Sequence, residues 1–211
     1  MEVVSIEKVR RVYKVVFDEE TVYITHSILT EWPLKPGMEL NREQYDNFLL
    51  EKQYKPCLEY AVTLLGQRAY AEKELEARLQ HAGYHPSTTE MVIYKLQKSH
   101  ILNDQDYAQM YAQQRVESKV GQYRIARELR KKGVDADTIR ETLAEVPEEE
   151  MLEGAISLVQ RQLAHPRAGE DPRKTAQRIT AMLVRRGFSF DVAKKALEQV
   201  RSDMTDGIED W

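Results

Sequence analysis

Residues 121–134 read GQYRIARELRKKGV and carry five basic side chains, Arg124, Arg127, Arg130, Lys131 and Lys132, against one acidic one, Glu128. Guanidinium and ammonium groups spaced in this way do one kind of chemistry well. They bind oxyanions, either the carboxylates of a protein or the phosphates of a nucleic acid. On a helical wheel Ile125 and Leu129 share a narrow arc, while Arg124, Arg127 and Lys131 lie opposite and Arg130 sits at the edge. The pattern predicts a helix that buries two aliphatic residues and turns its cations outward.

A merely solvated face is the competing reading, and the segregation of charge along the chain weighs against it. From Arg115 to Lys132 there are seven basic and two acidic residues; from Asp135 to Glu153 there are eight acidic and one basic. Arg161, Arg167, Arg173, Lys174, Arg178, Arg185 and Arg186 then repeat the basic bias against Glu170 and Asp171. The formal net charge of -4 hides these local potentials. Candidate partner-binding residues are therefore Arg115, Arg124, Arg127, Arg130 and Lys131, with Arg178, Arg185 and Arg186 as a second set. Tyr107 and Tyr111 fall at apolar-face spacing and are expected in the core, so they do not supply the exposed aromatics that single-stranded nucleic acid stacks on.

Catalytic constellations are not legible. The chain has no glycine-rich phosphate loop, no GxSxG and no HExxH. His81 and His85 are four apart, but Gly83 lies between them and Pro86 follows, so they are not expected to share a helical face or a metal ion. Asn103-Asp104-Gln105-Asp106 lacks the glycine and closing glutamate of a calcium loop, and Asn103 or Asp104 reads instead as a helix cap. The expectation is a protein with no catalytic, metal-binding or cofactor-binding residues, and not an enzyme. Cys57 is the single cysteine, expected in the core; it forms no internal disulfide, which suits a reduced cytoplasmic compartment. No apolar run of membrane-spanning or signal-peptide type interrupts the charged sequence, so no membrane association is expected.

The elements that hold these side chains follow from periodicity. β-branched and aromatic residues in 2–8, 11–17 and 21–25 read as strands, and Asn41 with Gln44 caps a helix expected to run to about Tyr54. From Cys57 onward an internal repeat emerges when Gly83, Gly133 and Gly187 are aligned. Eight residues before each glycine stand Leu75, Ile125 and Ile179, and four before stand Leu79, Leu129 and Leu183. One residue after come Tyr84, Val134 and Phe188; ten after, Ile93, Leu143 and Leu197; thirteen after, Leu96, Val146 and Val200. The spacing of four marks one helical face, and the glycine supplies a left-handed cap. The following helix is expected to start at Asp135, at Ser189, or at a capping box of Ser87 with Glu90. With one more helix before each copy, the unit is three helices used three times. The predicted fold is mainly α: three tandem three-helix repeats in an elongated curved array, preceded by a small β-hairpin and helix. Expected boundaries are 1–56 for the N-terminal region, 57–102, 103–147 and 148–200 for the repeats, and 201–211 for an acidic, frayed tail. Residues 164–175 are expected to form a mobile connection.

Particular residues now resemble a known family. Leu64-Leu65, Arg68, Glu74-Leu75, Leu79 and Gly83-Tyr84 are similar to the opening signature of the RecX regulatory proteins. Ile101-Leu102-Asn103-Asp104, Asp106-Tyr107-Ala108, Tyr111, Arg115, Gly121, Arg124-Ile125, Glu128-Leu129 and Gly133-Val134 resemble it more closely still. The resemblance covers about 57–200 and leaves the first 56 residues outside. Ala71 stands where the family commonly has a capping serine, at a local cost of about 1 kcal/mol. The resemblance implies a regulator of recombination and the SOS response. Such a protein binds the RecA nucleoprotein filament in its groove and inhibits or tunes its ATPase, strand-exchange and coprotease activities. Two rivals remain: a helical repeat that binds single- or double-stranded DNA directly, and a scaffold whose cations serve only solubility. A monomer is the default.

Overall fold

The computed structural model describes residues 1–18, 20–165 and 171–206, the last three of these by backbone alone. Of the expected mobile connection, 172–175 belong instead to a helix (Pro172–Arg185), and of the expected frayed tail, 201–206 continue another (Phe190–Asp206); 166–170 (with Arg167) and 207–211 lie outside the described residues. Among the described residues the fold is mainly helical, with one small antiparallel sheet. Packing divides the chain into two compact units, Met1–Asn103 and Asp104–Trp211.

In the first unit, β1 (Val3–Val9), β2 (Val12–Phe17) and β3 (Thr21–Thr25) pair in the order β1-β2-β3, with Val15 opposite Val22. Alternation along each strand sends Val3, Val15, Phe17, Val22 and Ile24 to one buried face. That face packs on Tyr45 and Leu49 of the long helix that follows. The expected hairpin is thus a three-stranded sheet, extended by a short helix α1 (His26–Glu31), which Thr25 caps through the Ile28 N–H.

Asn41 caps α2 as expected, accepting from the Gln44 N–H at 3.0 Å, but α2 does not end near Tyr54. It runs unbroken from Arg42 to Gln67 with Pro56 inside it. Proline removes one hydrogen bond and crowds the preceding turn, so a helix that passes through it needs support from elsewhere. One buried stripe carries the helix through: Tyr45, Leu49, Gln53, Cys57, Ala61 and Leu64. Its first two members belong to the core under the sheet and its last three to the core of the first repeat. A helix shared by two cores is held from both sides of the proline. Burial pushes the Cys57 thiol up to about 12, so it is an inert core residue.

Helices α3 (Glu72–His81) and α4 (Pro86–Lys98) complete the first unit. The second unit contains α5 (Asp104–Glu117), α6 (Gln122–Lys132), α7 (Ala136–Ala144), α8 (Glu148–Leu163), α9 (Pro172–Arg185) and α10 (Phe190–Asp206). No helix of the described residues is long and apolar enough to cross a membrane.

The glycine frame is physical. Gly83, Gly133 and Gly187 have φ of 101°, 93° and 94°. Each donates its N–H to the carbonyl three residues back, and the next residue's N–H reaches the frame leucine: Tyr84 to Leu79, Val134 to Leu129, Phe188 to Leu183. All six residues at the eight-before and four-before positions have no exposed surface. On the second helix the frame needs a correction. Residues ten after the glycine are buried only at Leu197, whereas those six and nine after are buried in all three copies: Thr89 and Val92, Ile139 and Thr142, Ala193 and Ala196. Threonines at two of these six positions hid the inward face from a reading based on large aliphatics.

Capping also differs between copies. Asp135 accepts from the Asp137 and Thr138 N–H groups, and Ser189 accepts from Val192. Ser87 and Glu90 form no capping box, because His85 occupies the cap position and Pro86 the first helical one.

Candidate protein-interaction surface

Helix α6 buries Ile125 and Leu129 and ends at the Gly133 cap. With its inward face fixed, every charged residue on it takes up a defined direction. Arg127, Arg130 and Lys131 are exposed and make no ion pair among the described residues. Arg115 and Arg124 are half-buried and held within the unit. Glu128 accepts from Arg115 Nε at 2.8 Å and from its Nη2 at 3.0 Å, from Arg124 Nε at 2.9 Å, and from the Tyr111 hydroxyl at 3.0 Å. Burial by itself would raise the Glu128 carboxyl, but the hydrogen bonds from Arg124, Arg115 and Tyr111 outweigh it and hold the group below the usual carboxylate range. Burial and the bond to Glu128 together raise the Tyr111 phenol. Tyr107 is buried as expected and stacks with Tyr111 at a centroid distance of 6.0 Å; the Lys132 ammonium lies 5.8 and 5.6 Å from the two ring centres.

The sequence-derived set therefore splits. Arg115 and Arg124 link α5 to α6 through one carboxylate, and Arg127, Arg130 and Lys131 form a row with free heads. The second set splits as well. Arg185 is exposed, Arg178 donates to Gln162 Oε1 at 2.9 Å, and Arg186 donates to the Lys119 carbonyl at 3.4 Å.

One residue escaped the sequence reading. Tyr123 is 63% exposed and stands four residues before Arg127, seven before Arg130 and eight before Lys131, on the same strip of α6. The i, i+4 spacing to Arg127 was the available signal. Its backbone is anchored: the Tyr123 N–H donates to the Gly187 carbonyl at 3.0 Å, and the Gly121 N–H to the Arg186 carbonyl at 3.1 Å. The free amides at the start of α6 thus meet the free carbonyls at the end of α9. A Cβ on Gly121 would lie 2.1 Å from the Gly187 carbonyl carbon, so only glycine allows this approach. The joint couples the second repeat to the third and fixes the start of the cationic helix.

Three consecutive three-helix segments, each with a glycine-ended helix, define a helical-repeat protein. Family models agree with this division: the first three-helix domain of RecX matches 57–96, the second 103–143 and the third 148–197. The chain belongs to the RecX family of regulatory proteins. It is 31% identical over 203 residues to the regulatory protein RecX of Bacillus velezensis, covering 93% of this chain and 75% of that one. It is 37% identical over 154 residues to that of Deinococcus radiodurans, covering 71% of each. Most of the first 56 residues lie inside the Bacillus match, beyond the reach of the signature quoted above. Two solved structures share the fold. A regulatory protein RecX aligns with a TM-score of 0.62 at 21% identity, over 93% of this chain and 98% of its own. RecX from Lactobacillus salivarius aligns with 0.65 at 23% identity, over 72% and 97%.

Proposed function

We propose that this chain acts in the cytoplasm, as a monomer, by binding RecA filaments on DNA and lowering their ATPase, strand-exchange and coprotease activities in recombination, DNA repair and the SOS response. Membership in a family of regulatory proteins supports the regulatory role. The observation that carries the contact is the row Arg127, Arg130 and Lys131, three unpaired cations on a helix pinned at both ends. Such a row suits the carboxylates of a protein groove, because the backbone that presents it is already ordered and only the side chains have to be immobilised. Arg185 extends the contact in the third repeat, and Arg115, Arg124, Arg178 and Arg186 position the helices that present it. The action needs no catalytic centre and no cofactor. Replacing both Arg127 and Lys131 with glutamate is expected to abolish inhibition of the DNA-dependent ATPase of preformed RecA filaments while leaving the helical circular dichroism intact. Full inhibition by that double variant would refute the assignment.

Direct binding to single-stranded DNA is the second reading, and the exposure of Tyr123 favours it, since an aromatic in line with cations is a stacking platform. Salt-titrated binding to single-stranded DNA without RecA separates the two. The DNA reading requires a steep salt slope and a loss of about 1–3 kcal/mol of affinity for Tyr123→Ala; the RecA reading requires neither.

A further inference from the structure

Away from the cationic row, three elements of the first unit bring together a cluster that the regulatory function leaves unused. Glu20 comes from the segment between β2 and β3, Asp46 from the second turn of α2, and His85 from the cap position of α4. Each offers one ligand atom, and the three atoms lie within 4.8 Å of one another. His85 Nε2 is 3.7 Å from Glu20 Oε2 and 3.8 Å from Asp46 Oδ1. With those separations, a point at most about 2.4 Å from all three exists between them, within the range of metal–ligand bonds once side chains relax by tenths of an ångström.

Two further observations point to a ligand. The His85 side chain is 4% exposed, yet Nε2 has no hydrogen-bond partner among the described residues; nor has Asp46 Oδ1, the carboxylate oxygen facing it. An imidazole nitrogen without a partner at this depth is costly. The rest of the ring is held: Nδ1 lies 2.8 Å from Ser87 Oγ, and the His85 N–H donates to Gln53 Oε1 at 2.7 Å. An Nδ1–H donated to Ser87 leaves the Nε2 lone pair aimed at the two carboxylates, as outer hydrogen bonds orient metal-bound histidines. The Arg42 guanidinium faces the other oxygens as an ion-pair partner, 3.3 Å from Glu20 Oε1 and 3.8 Å from Asp46 Oδ2, and Glu20 Oε1, too, accepts no hydrogen bond among the described residues. Each carboxylate therefore has one oxygen toward the arginine and one toward the histidine.

We propose that Glu20, Asp46 and His85 bind a divalent transition-metal ion of the zinc class, which clamps the N-terminal sheet to the first repeat. One imidazole with two carboxylates suits such an ion, and three protein ligands leave room for a water as the fourth. A protonated His85 shared between the two carboxylates is the competing account.

Titration of the full chain with ZnCl2 by calorimetry is expected to give one ion per chain, and cobalt(II) chloride to give a visible ligand-field band at the same stoichiometry. His85→Gln and Asp46→Asn each weaken binding by tenfold or more, whereas His81→Gln, at an exposed histidine, leaves it unchanged. A buried substitution also loosens the fold, so melting is followed with and without ZnCl2. The Tm of the natural chain rises with zinc concentration, and that of His85→Gln, whatever its starting value, does not. Absence of any zinc-dependent rise in the natural chain, as a protonated histidine requires, overturns the proposal. So does binding that survives in His85→Gln or is lost in His81→Gln.

Discussion

The first and second repeats share one frame and present opposite surfaces. In α3, EKELEARLQH buries Leu75 and Leu79; in α6, QYRIARELRKK buries Ile125 and Leu129 at the same distances from the glycine. Where α6 carries Arg124, Arg127 and Arg130, α3 carries Glu74, Ala77 and Gln80. Packing constrains the inward positions and leaves the outward ones to whatever must be met there. The same division holds for intramolecular pairs. In the first repeat Arg68 makes a two-pronged bond to Glu74 at 3.0 and 3.2 Å and lies over the Tyr70 ring; in the second, Glu128 gathers two arginines and a tyrosine. One repeat uses its arginine as a local brace, and the other spends a carboxylate to leave three cations free.

The glycines test this comparison most severely. Gly121→Ala drives a Cβ into the Gly187 backbone, and Gly187→Ala meets the Arg124 Cβ at 2.4 Å as well as a left-handed φ. Each is expected to cost about 3 kcal/mol or more, by overpacking at both and by backbone strain as well at Gly187. Gly83→Ala, whose Cβ meets only the Tyr23 Cβ at 3.3 Å, costs about 1–2 kcal/mol. Urea unfolding of the three variants ranks them; equal losses would show that the joint between the second and third repeats is not tight.

A loss of comparable size is expected from truncating the shared frame. Leu79→Ala and Leu129→Ala each remove a side chain with no exposed surface and cost about 2–5 kcal/mol, alike within about 1 kcal/mol if the repeats are packed alike. Comparison of their denaturant midpoints checks this.

Glu128→Gln sharpens the electrostatic half of the comparison. The folded carboxyl lies below its ordinary value, so its stabilising effect is complete above the unfolded value of about 4.3 and fades as pH falls through the folded one. The stability difference between the natural chain and Glu128→Gln is therefore largest near neutral pH and shrinks below about pH 4. Unfolding measured at pH 7 and along the acid limb reads it; a gap independent of pH would show that the carboxylate charge is not what holds Arg115 and Arg124. The smallest effect is Asp135→Ala, which removes a cap with two N–H donors and costs about 1 kcal/mol, seen as a modest fall in Tm.

Much of the fold was legible because its rules are local. The apolar spacing of four, the glycine after the last turn and the polar cap that follows each act within a few residues. The misreadings arose where one rule was overridden by another, from a distance at Pro56 and from the neighbouring residue at Ser87. Pro56 marks a stop unless a buried stripe from two cores spans it, and Ser87 with Glu90 makes a capping box unless Pro86 has already opened the helix. Of the candidate surface, the outward direction of Arg127 and Lys131 was legible from the wheel. The capture of Arg115 and Arg124 was not, because Arg115 sits on α5 and reaches Glu128 only once α5 and α6 are packed. The cluster of Glu20, Asp46 and His85 has no sequence spacing at all.

Sequence alone determined which residues of the glycine-ended helices turn inward and where those three helices end, since both follow from backbone geometry over one or two turns. Tertiary structure decided which cations are free. A carboxylate has only two oxygens to share, and which arginines reach them depends on how neighbouring helices dock, a property of no single segment.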